Sequence, residues 1–423
     1  MEEKNSEKKE RKMRDSGIPW IGKVPEGWGF SKIKYHCTMK SGDNITALDI
    51  SDNGEYPVYG GNGLRGFYKI YNKNGNHILI GRQGALAGNV HLVNGKFWAT
   101  DHAVIVTLKN DVFINYFFRM LESMNLNQYA FDTAAQPGLS VSRIMNLNIV
   151  LPNLKEQHRI ADFLDSKCAE IDTLIENLRA RMESVKEYKK AIITEAVTKG
   201  LDKNAKMKDS GVEWIGEIPE GWKVARLKQV LKTPMKYGAS ESGVEYSDEL
   251  PRYIRITDIT LDNKLKDTGK LSLTEQQAIG YLLSEKTVLF ARSGATVGKT
   301  FLYKSEYGRA AFAGYMISAI PNNNKIKAEW LYYYTLSQVY WDWVNSSFSQ
   351  ATIQNIGADK YSNLPIVIPS LITQQQIIDY LDSKCSEIDA LLQNYEDQIA
   401  TLEEYKKSLI YEYVTGKKEV PTA

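Results

Sequence analysis

Hydrophobic residues recur at intervals of three and four in two long stretches of the chain, and neither stretch contains glycine or proline. The repeating positions are Ile171, Ile175, Leu178, Met182, Val185, Tyr188 and Ile192 in the first stretch, and Ile388, Leu392, Tyr395, Ile399, Leu402, Tyr405 and Leu409 in the second. This spacing is typical of a coiled coil. It predicts two helices of roughly 40 residues, each about 60 Å long. The simplest cover for each apolar face is the other helix of the same chain, and pairing between two copies of the chain is the alternative.

The chain also contains its landmark motifs twice. The segment MRDSGIPWIGKVPEGW at 13–28 returns as MKDSGVEWIGEIPEGW at 207–222. The segment DSKCAEID at 165–172 returns as DSKCSEID at 382–389. Self-similarity of this kind indicates two structural units built on one plan.

Short apolar runs between the repeated motifs predict strands. NHILIGRQG and TVLFARSG each suggest a buried strand that leads into a glycine loop, and NVHLVNGKFWA suggests a hairpin. INYFFRMLES and WLYYYTLSQVYWDWV have helical periodicity instead. The strands LNIVLP and LPIVIP end at Pro152 and Pro369, and Asn153 and Ser370 are placed to cap the long helices that follow.

These patterns predict two similar mixed α/β domains and two long helices, an α+β fold. The predicted bounds are a disordered tail at 1–12, a first domain at 13–151, a first helix at 152–200, a second domain at 201–368, a second helix at 369–416 and a tail at 417–423.

The composition narrows the class of protein. Lys and Arg number 53 and Asp and Glu 51, so this is not a uniformly basic protein, although a local basic face remains open. We find no run of 18 apolar residues, and therefore expect no membrane span. Cys37, Cys168 and Cys385 form no CxxC motif. They suit a reducing cytoplasm better than a disulfide framework or a metal site, and we expect Cys168 and Cys385 to be buried.

Candidate chemistry centres on an arginine that both copies share. RQGALAG at 82–88 corresponds to RSGATVG at 292–298, so Arg82 and Arg292 follow equivalent strands. An arginine there can bind guanine or a phosphate, and the alternative is that it pins the turn to a carboxylate or to backbone. The neighbouring candidates for DNA binding are Gln83, Ser293 and Lys299.

A second candidate is the glycine-rich loop YGGNGLRGFYK at 59–69. Tyr59, Asn62 and Arg65 are its DNA-binding candidates, and an ordinary surface hairpin is the alternative. The segment SGATVGKT at 293–300 resembles a phosphate-binding loop, but its first glycine stands one place late and a strand is predicted to follow. We therefore expect a tight turn.

Two further features of the sequence favour a structural role over a catalytic or DNA-binding role. The aromatic stretch from Trp330 to Trp343 has helical spacing, which favours a core helix over a base-stacking surface. All five histidines lie in the first copy, so catalysis by equivalent histidines is not expected. No Asn-Pro-Pro-Tyr, Asp-Pro-Pro-Tyr, HExxH or GxSxG motif is present.

The duplicated DSGxxWIGxxPEGW motif, the apolar strand that ends in proline and the LDSKCxEID helix block resemble the specificity (S) subunits of type I restriction-modification systems. The resemblance covers nearly the whole chain. It implies two target-recognition domains, each reading one half of a bipartite DNA site, separated by two long antiparallel coiled-coil helices with pseudo-two-fold symmetry.

The resemblance also implies the partners. They are double-stranded DNA, two methyltransferase (M) subunits docked on the helices, and restriction/motor (R) subunits. The chain itself is expected to be non-catalytic and without cofactor, and S-adenosylmethionine, ATP and Mg²⁺ are expected on the partner subunits. Two alternatives remain: a restriction-methylation enzyme with cryptic activity of its own, and a duplicated scaffold that binds protein.

Overall fold

The computed structural model describes residues 11–83, 87–109, 111–131, 138–260, 263–347 and 355–421. The strands of the first copy are β1 (Met13–Asp15), β2 (Lys23–Pro25), β3 (Gly29–Lys32), β4 (Cys37–Ser41), β5 (Tyr56–Gly60), β6 (Gly63–Tyr68), β7 (Lys73–Asn74), β8 (His77–Gly81), β9 (Val90–Val93), β10 (Lys96–Ala99), β11 (Ala103–Leu108), β12 (Ala130–Phe131), β13 (Gly138–Leu139) and β14 (Asn148–Leu151). Its helices are α1 (Ile33–His36), α2 (Ile114–Ser123), α3 (Val141–Met145) and α4 (Leu154–Lys199).

The second copy follows the same plan. Its strands are β15 (Met207–Asp209), β16 (Glu217–Pro219), β17 (Lys223–Arg226), β18 (Lys236–Tyr237), β19 (Val244–Glu245), β20 (Arg252–Ile254), β21 (Leu271–Ser272), β22 (Val288–Ala291), β23 (Thr300–Leu302), β24 (Ala310–Phe312), β25 (Met316–Ala319) and β26 (Pro365–Ile368). Its helices are α5 (Glu275–Ala278), α6 (Ala328–Leu336), α7 (Gln338–Ser346), α8 (Ala358–Ser362) and α9 (Leu371–Val414).

The chain divides into two compact units, and the division falls inside both long helices. Unit 1 comprises Met1–Leu178 and Glu396–Ala423, and unit 2 comprises Arg179–Tyr395. Each unit therefore contains one mixed α/β domain, one part of α4 and one part of α9.

Each domain is built on an antiparallel sheet of four strands. The strand order is β4-β11-β8-β9 in unit 1 and β18-β25-β22-β23 in unit 2. A second sheet contains one parallel pair, β5 with β10 in unit 1 and β20 with β24 in unit 2. The first sheet of unit 1 is buried on both faces, because Ile78 and Ile80 belong to one apolar cluster and Leu79 belongs to another. This explains why β8 is an uninterrupted apolar run.

The predicted hairpin at 89–99 is wrong. β9 pairs with β8, whereas β10 pairs with β5 and β7. Phe97 and Ala99 of β10 cluster with Leu79 and Ile105, so β10 lies over a face of the first sheet rather than beside β9.

The helix predictions are largely confirmed. α2 covers INYFFRMLES, and the aromatic stretch forms α6 and α7 with a break at Ser337. Trp330, Tyr334 and Tyr340 are fully buried, as expected of a core. Their polar atoms donate to backbone carbonyls, for example Trp330 Nε1 to Val367 O at 2.9 Å. Asn153 Oδ1 and Ser370 Oγ accept the amides of residues three places later, as helix caps do.

In each unit, the repeated tryptophan motif packs against the C-terminal end of a long helix. Gly416, after α9, lies against the ring of Trp28, and Gly200, after α4, lies against the ring of Trp222. Both glycines have positive φ, 72° and 77° respectively, which is the usual way for a helix to end. Within the described part of the chain, none of the helices is long and apolar enough to cross a membrane.

Candidate nucleic-acid interface

One arrangement of backbone segments occurs at the same place in both units, and we call it the arginine frame. It consists of the end of β4 or β18, the arginine after β8 or β22, and the turn before β11 or β25. In unit 1, Arg82 N donates to His102 O at 2.9 Å, and Leu139 N donates to Arg82 O at 2.8 Å. In unit 2, Arg292 N donates to Tyr315 O at 3.0 Å, and Ile356 N donates to Arg292 O at 2.8 Å. Both arginine backbones are therefore fixed from two sides.

Glycines let the strand end approach the turn in each frame. A Cβ at Gly42 would lie 2.2 Å from Ala99 O, and one at Gly238 would lie 2.3 Å from Ala313 O. No side chain fits there without moving backbone. The two frames thus share a tightly packed backbone geometry, while the side chains around the common arginine differ.

The arginine side chains are supported but not neutralised. Arg82 Nη1 donates to Ser41 Oγ at 3.1 Å. Arg292 lies over the ring of Tyr237, 4.9 Å from its centroid, and its buried Nε has no partner among the described residues. Nor does either arginine form an ion pair with a described carboxylate. The geometry therefore does not favour the alternative in which a carboxylate or the backbone binds the guanidinium and pins the turn.

The structure brings the loop candidates of unit 1 to the same frame. A Cβ at Gly61, in the turn between β5 and β6, would lie 3.2 Å from His102 O and 3.6 Å from Gln83 O. Asn62 and Arg65 are exposed beside this contact, and so is Gln83. Tyr59 is half-buried, with its ring edge against Phe97.

Two candidates of unit 2 have local partners. Lys299 Nζ donates to Thr260 O at 3.3 Å, so its ammonium already has a protein contact. Ser293 forms an isolated β-bridge with Asn355. Strand β23 follows this loop, as expected for a turn rather than a phosphate-binding loop.

Sequence reasoning missed the turn residues His102 and Tyr315. Tyr315 is 67% exposed, and the side chain of His102 is 46% exposed. They are equivalent because each carbonyl accepts the amide of the frame arginine. An alignment of β11 with β25 would have matched His102 with Tyr315. The sequences of these two strands are too different to be aligned by inspection.

The long helices contact each other within each unit. In unit 1, Phe163 packs on Tyr413 and Asp172 pairs with Lys406 at 2.7 Å, so α4 and α9 run antiparallel there. In unit 2, Lys189 pairs with Asp389 at 2.6 Å. Asp172 and Asp389 occupy equivalent positions in the two copies, and so do Lys406 and Lys189. The same ion pair thus forms once in each unit.

The predicted seam residues differ in burial. The buried members are Ile171, Ile175, Leu178, Met182 and Ile388, and the half-buried members are Val185, Leu392, Tyr395, Ile399 and Leu402. In unit 1, Ile171 and Ile175 share a cluster with Leu409 and Ile410.

The placement of Tyr188 and Tyr405 on the seam is wrong, because these residues are 61% and 55% exposed. Leu174 and Leu391, which also occupy equivalent positions, are exposed as well.

Comparison with known proteins places this architecture in a family. The family model for the type I restriction modification DNA specificity domain matches residues 25–184 and 219–401. The chain is 44% identical over 144 residues to the type I restriction enzyme EcoprrI specificity subunit of Escherichia coli, a match that spans 33% of this chain and 35% of that protein. It is 26% identical over 447 residues to the MjaVIII specificity subunit of Methanocaldococcus jannaschii, covering 94% of each.

The fold agrees with this similarity. A chain in a solved structure of the type I R-M system, 17% identical, has a TM-score of 0.64 and covers 93% of this chain and 99% of that one. The chain belongs to the family of type I restriction-modification DNA specificity domains, and its task is to recognise a DNA sequence.

Proposed function

We propose that each unit reads one half of a bipartite DNA target and that the paired long helices set the distance between the halves. The arginine frame is the observation that carries this proposal. It occurs once in each unit, holds its arginine in a fixed backbone position, and provides no carboxylate partner among the described residues. Arginine donates to guanine O6 and N7 or to phosphate oxygens, so each frame presents one DNA-binding group.

Methyl transfer and DNA cleavage belong to partner subunits in this proposal. S-adenosylmethionine, ATP and Mg²⁺ bind there, and the chain contributes recognition and assembly. Because the second copy has no histidine, the two equivalent units share no imidazole that could act as a general acid or base.

The exposed apolar residues of the long helices are the proposed docking sites for methyltransferase subunits. In unit 1, Leu174 lies seven residues after Lys167 and therefore on the same face of α4, and Lys167 interacts electrostatically with Tyr405 of α9. In unit 2, Leu391 stands in the same relation to Lys384 of α9, and Lys384 interacts with Tyr188 of α4. Tyrosine is enriched at protein interfaces, and the leucine adds apolar surface to it. One such surface in each unit supports the assembly of two methyltransferase subunits.

Native mass spectrometry of the assembled complex tests the docking sites. We expect Leu174→Asp and Leu391→Asp each to remove one methyltransferase subunit, and the double variant to remove both. The control is Leu154→Asp, which changes an exposed leucine of α4 at a distance from either ion pair. Retention of two methyltransferase subunits by the double variant would contradict this assignment.

The recognition role is tested by sequencing modified bases in the host genome with and without this gene. We expect one bipartite motif that depends on the gene. Arg82→Ala and Arg292→Ala should each weaken methylation through a different half of that motif, because each removes one DNA contact. A motif that persists without the gene, or DNA binding by the complex that does not respond to salt, would contradict the proposal.

A further inference from the structure

We infer that the turn residue of each arginine frame, His102 in unit 1 and Tyr315 in unit 2, contacts a base edge and sets part of the sequence preference of its half-site. This inference rests on the proposed function and adds the residues that make the two halves differ. The first observation that supports the inference is the position of these two residues. Both carbonyls accept the amide of the frame arginine, at 2.9 Å and 3.0 Å, so each turn residue is held next to the DNA-binding guanidinium.

The second support is the state of the two side chains. Tyr315 is a large aromatic residue with 67% of its surface exposed, and no hydrogen bond from its hydroxyl to a described residue occurs. His102 approaches a described carboxylate only at 4.0 Å, and that carboxylate belongs to the adjacent Asp101. Their backbone carbonyls are hydrogen-bonded, whereas their side chains make no hydrogen bond to a described residue. A polar side chain on a fixed backbone with no partner is well suited to an external ligand.

The third support comes from what the other frame positions do. Ser41 and Tyr237 occupy equivalent strand ends, and each supports its arginine, by a hydrogen bond and by ring stacking respectively. The Tyr237 hydroxyl also accepts the amide of Ala358 at 3.0 Å. These positions are therefore used to position the arginine, whereas the turn position remains available for the DNA.

The chemistry of the two turn residues favours base edges over phosphates. The arginine is the same in both frames, so it suits a feature that both half-sites share. Imidazole and phenol both donate and accept hydrogen bonds, but they differ in reach and shape. Because bases differ in the donors and acceptors that they present in the major groove, different side chains at one rigid position select different bases.

Reciprocal substitution tests the inference. The intact complex with its methyltransferase subunits, carrying Tyr315→His or His102→Tyr, is given a library of randomised targets and the methylated motif is sequenced. We expect Tyr315→His to change the base preference at one or two adjacent positions of one half-site, and His102→Tyr to do so in the other half-site. Methylation of the original sequence should fall about 10-fold or more, the effect of one lost base contact.

Two further variants make the test more specific. Tyr315→Phe removes only the hydroxyl and should relax the preference at the same position. The matched control is Tyr246→His, an exposed tyrosine of unit 2 that lies outside the frame and donates to Asp248, and it should leave the motif unchanged. An unchanged base preference in Tyr315→His or in His102→Tyr, even with weaker binding, would overturn the inference. If the unmodified complex gave no bipartite motif, the proposed function itself would fail instead.

Discussion

At the scale of single residues, two buried glutamines join the domains to their helices. Gln157 and Gln374 occupy equivalent positions near the starts of α4 and α9, and both are almost fully buried. Gln374 Oε1 accepts Lys327 N at 2.8 Å, and its Nε2 donates to Pro369 O and Lys325 O. Gln157 makes the corresponding bonds to Phe113 N and Pro152 O. A single side chain on the long helix thus bonds to two separate backbone segments of its domain.

We expect Gln374→Leu to destabilise the protein by about 2–3 kcal/mol, because a buried amide and buried carbonyls lose their partners. Urea unfolding followed by tryptophan fluorescence measures the change. The matched control is Gln375→Leu, the exposed neighbour, which should change the free energy of unfolding by less than about 0.5 kcal/mol. Equal effects of the two substitutions would show that the buried bonds are not what stabilises this junction.

The three cysteines are buried thiols, and burial raises their pKa values, that of Cys37 to about 12. They should therefore not react with a thiol reagent at pH 8 until the protein unfolds. A pKa raised in the folded state means that the unfolded chain loses its protons first. The contribution of Cys37 to stability should thus be complete below about pH 9 and be lost as the pH rises towards 12. Urea midpoints from pH 7 to pH 10.5, compared with those of Cys37→Ala, test this sign. Midpoints of the two proteins that change equally with pH would contradict it. Rapid labelling of the folded protein at pH 8 would contradict the expected protection of the thiols.

At the scale of elements, the long helices show how far periodicity predicts structure. The existence and approximate ends of both helices follow from the sequence. The outer seam positions do not, because each residue of an α-helix turns by about 100°. Tyr188 comes six residues after Met182, so it lies about 120° away from the seam, whereas Ile193 returns to within about 20° of it. The structure accordingly exposes Tyr188 and buries Ile193.

Lengthening both long helices by one turn should change the gap between the half-sites and leave the half-sites themselves unchanged. Four residues inserted after Leu178 and after Tyr395 add about 6 Å of helix. Because base pairs are spaced by about 3.4 Å, the gap should grow by roughly one to two base pairs. Methylome sequencing measures the gap, and altered half-sites with an unchanged gap would refute the spacer role. Insertion in α4 alone is the control and should lower thermal stability, since it shifts one helix against the other.

At the scale of the whole molecule, duplication makes the two-unit plan readable from the sequence. The repeated motifs establish that there are two copies, and the shared arginine marks the equivalent frames. The other residues of each frame cannot be predicted from the sequence. They are distant along the chain, and hydrogen bonds between strand ends bring them together. Asn62 and Gln83 are far from His102 in the sequence, and only the sheet places them side by side.

Exchanging residues 30–150 for the corresponding segment of another family member should change one half-site only. The segment contains the frame of unit 1 and leaves the frame of unit 2 intact. Modified-base sequencing of cells that carry the exchanged chain measures both halves and the gap. The control is the parent chain expressed in the same cells. A change in both halves would show that the two units do not read DNA separately.

The composition of unit 1 from two distant parts of the chain has a consequence for its synthesis. The hydroxyl of Tyr116, in the core of unit 1, donates to the carbonyl of Val414, 298 residues further on. While the ribosome makes the intervening residues, at about 5–20 residues per second, the nascent first domain waits for its remaining helix for roughly 15–60 s. During that interval its apolar face is uncovered, which makes it a natural client for a chaperone.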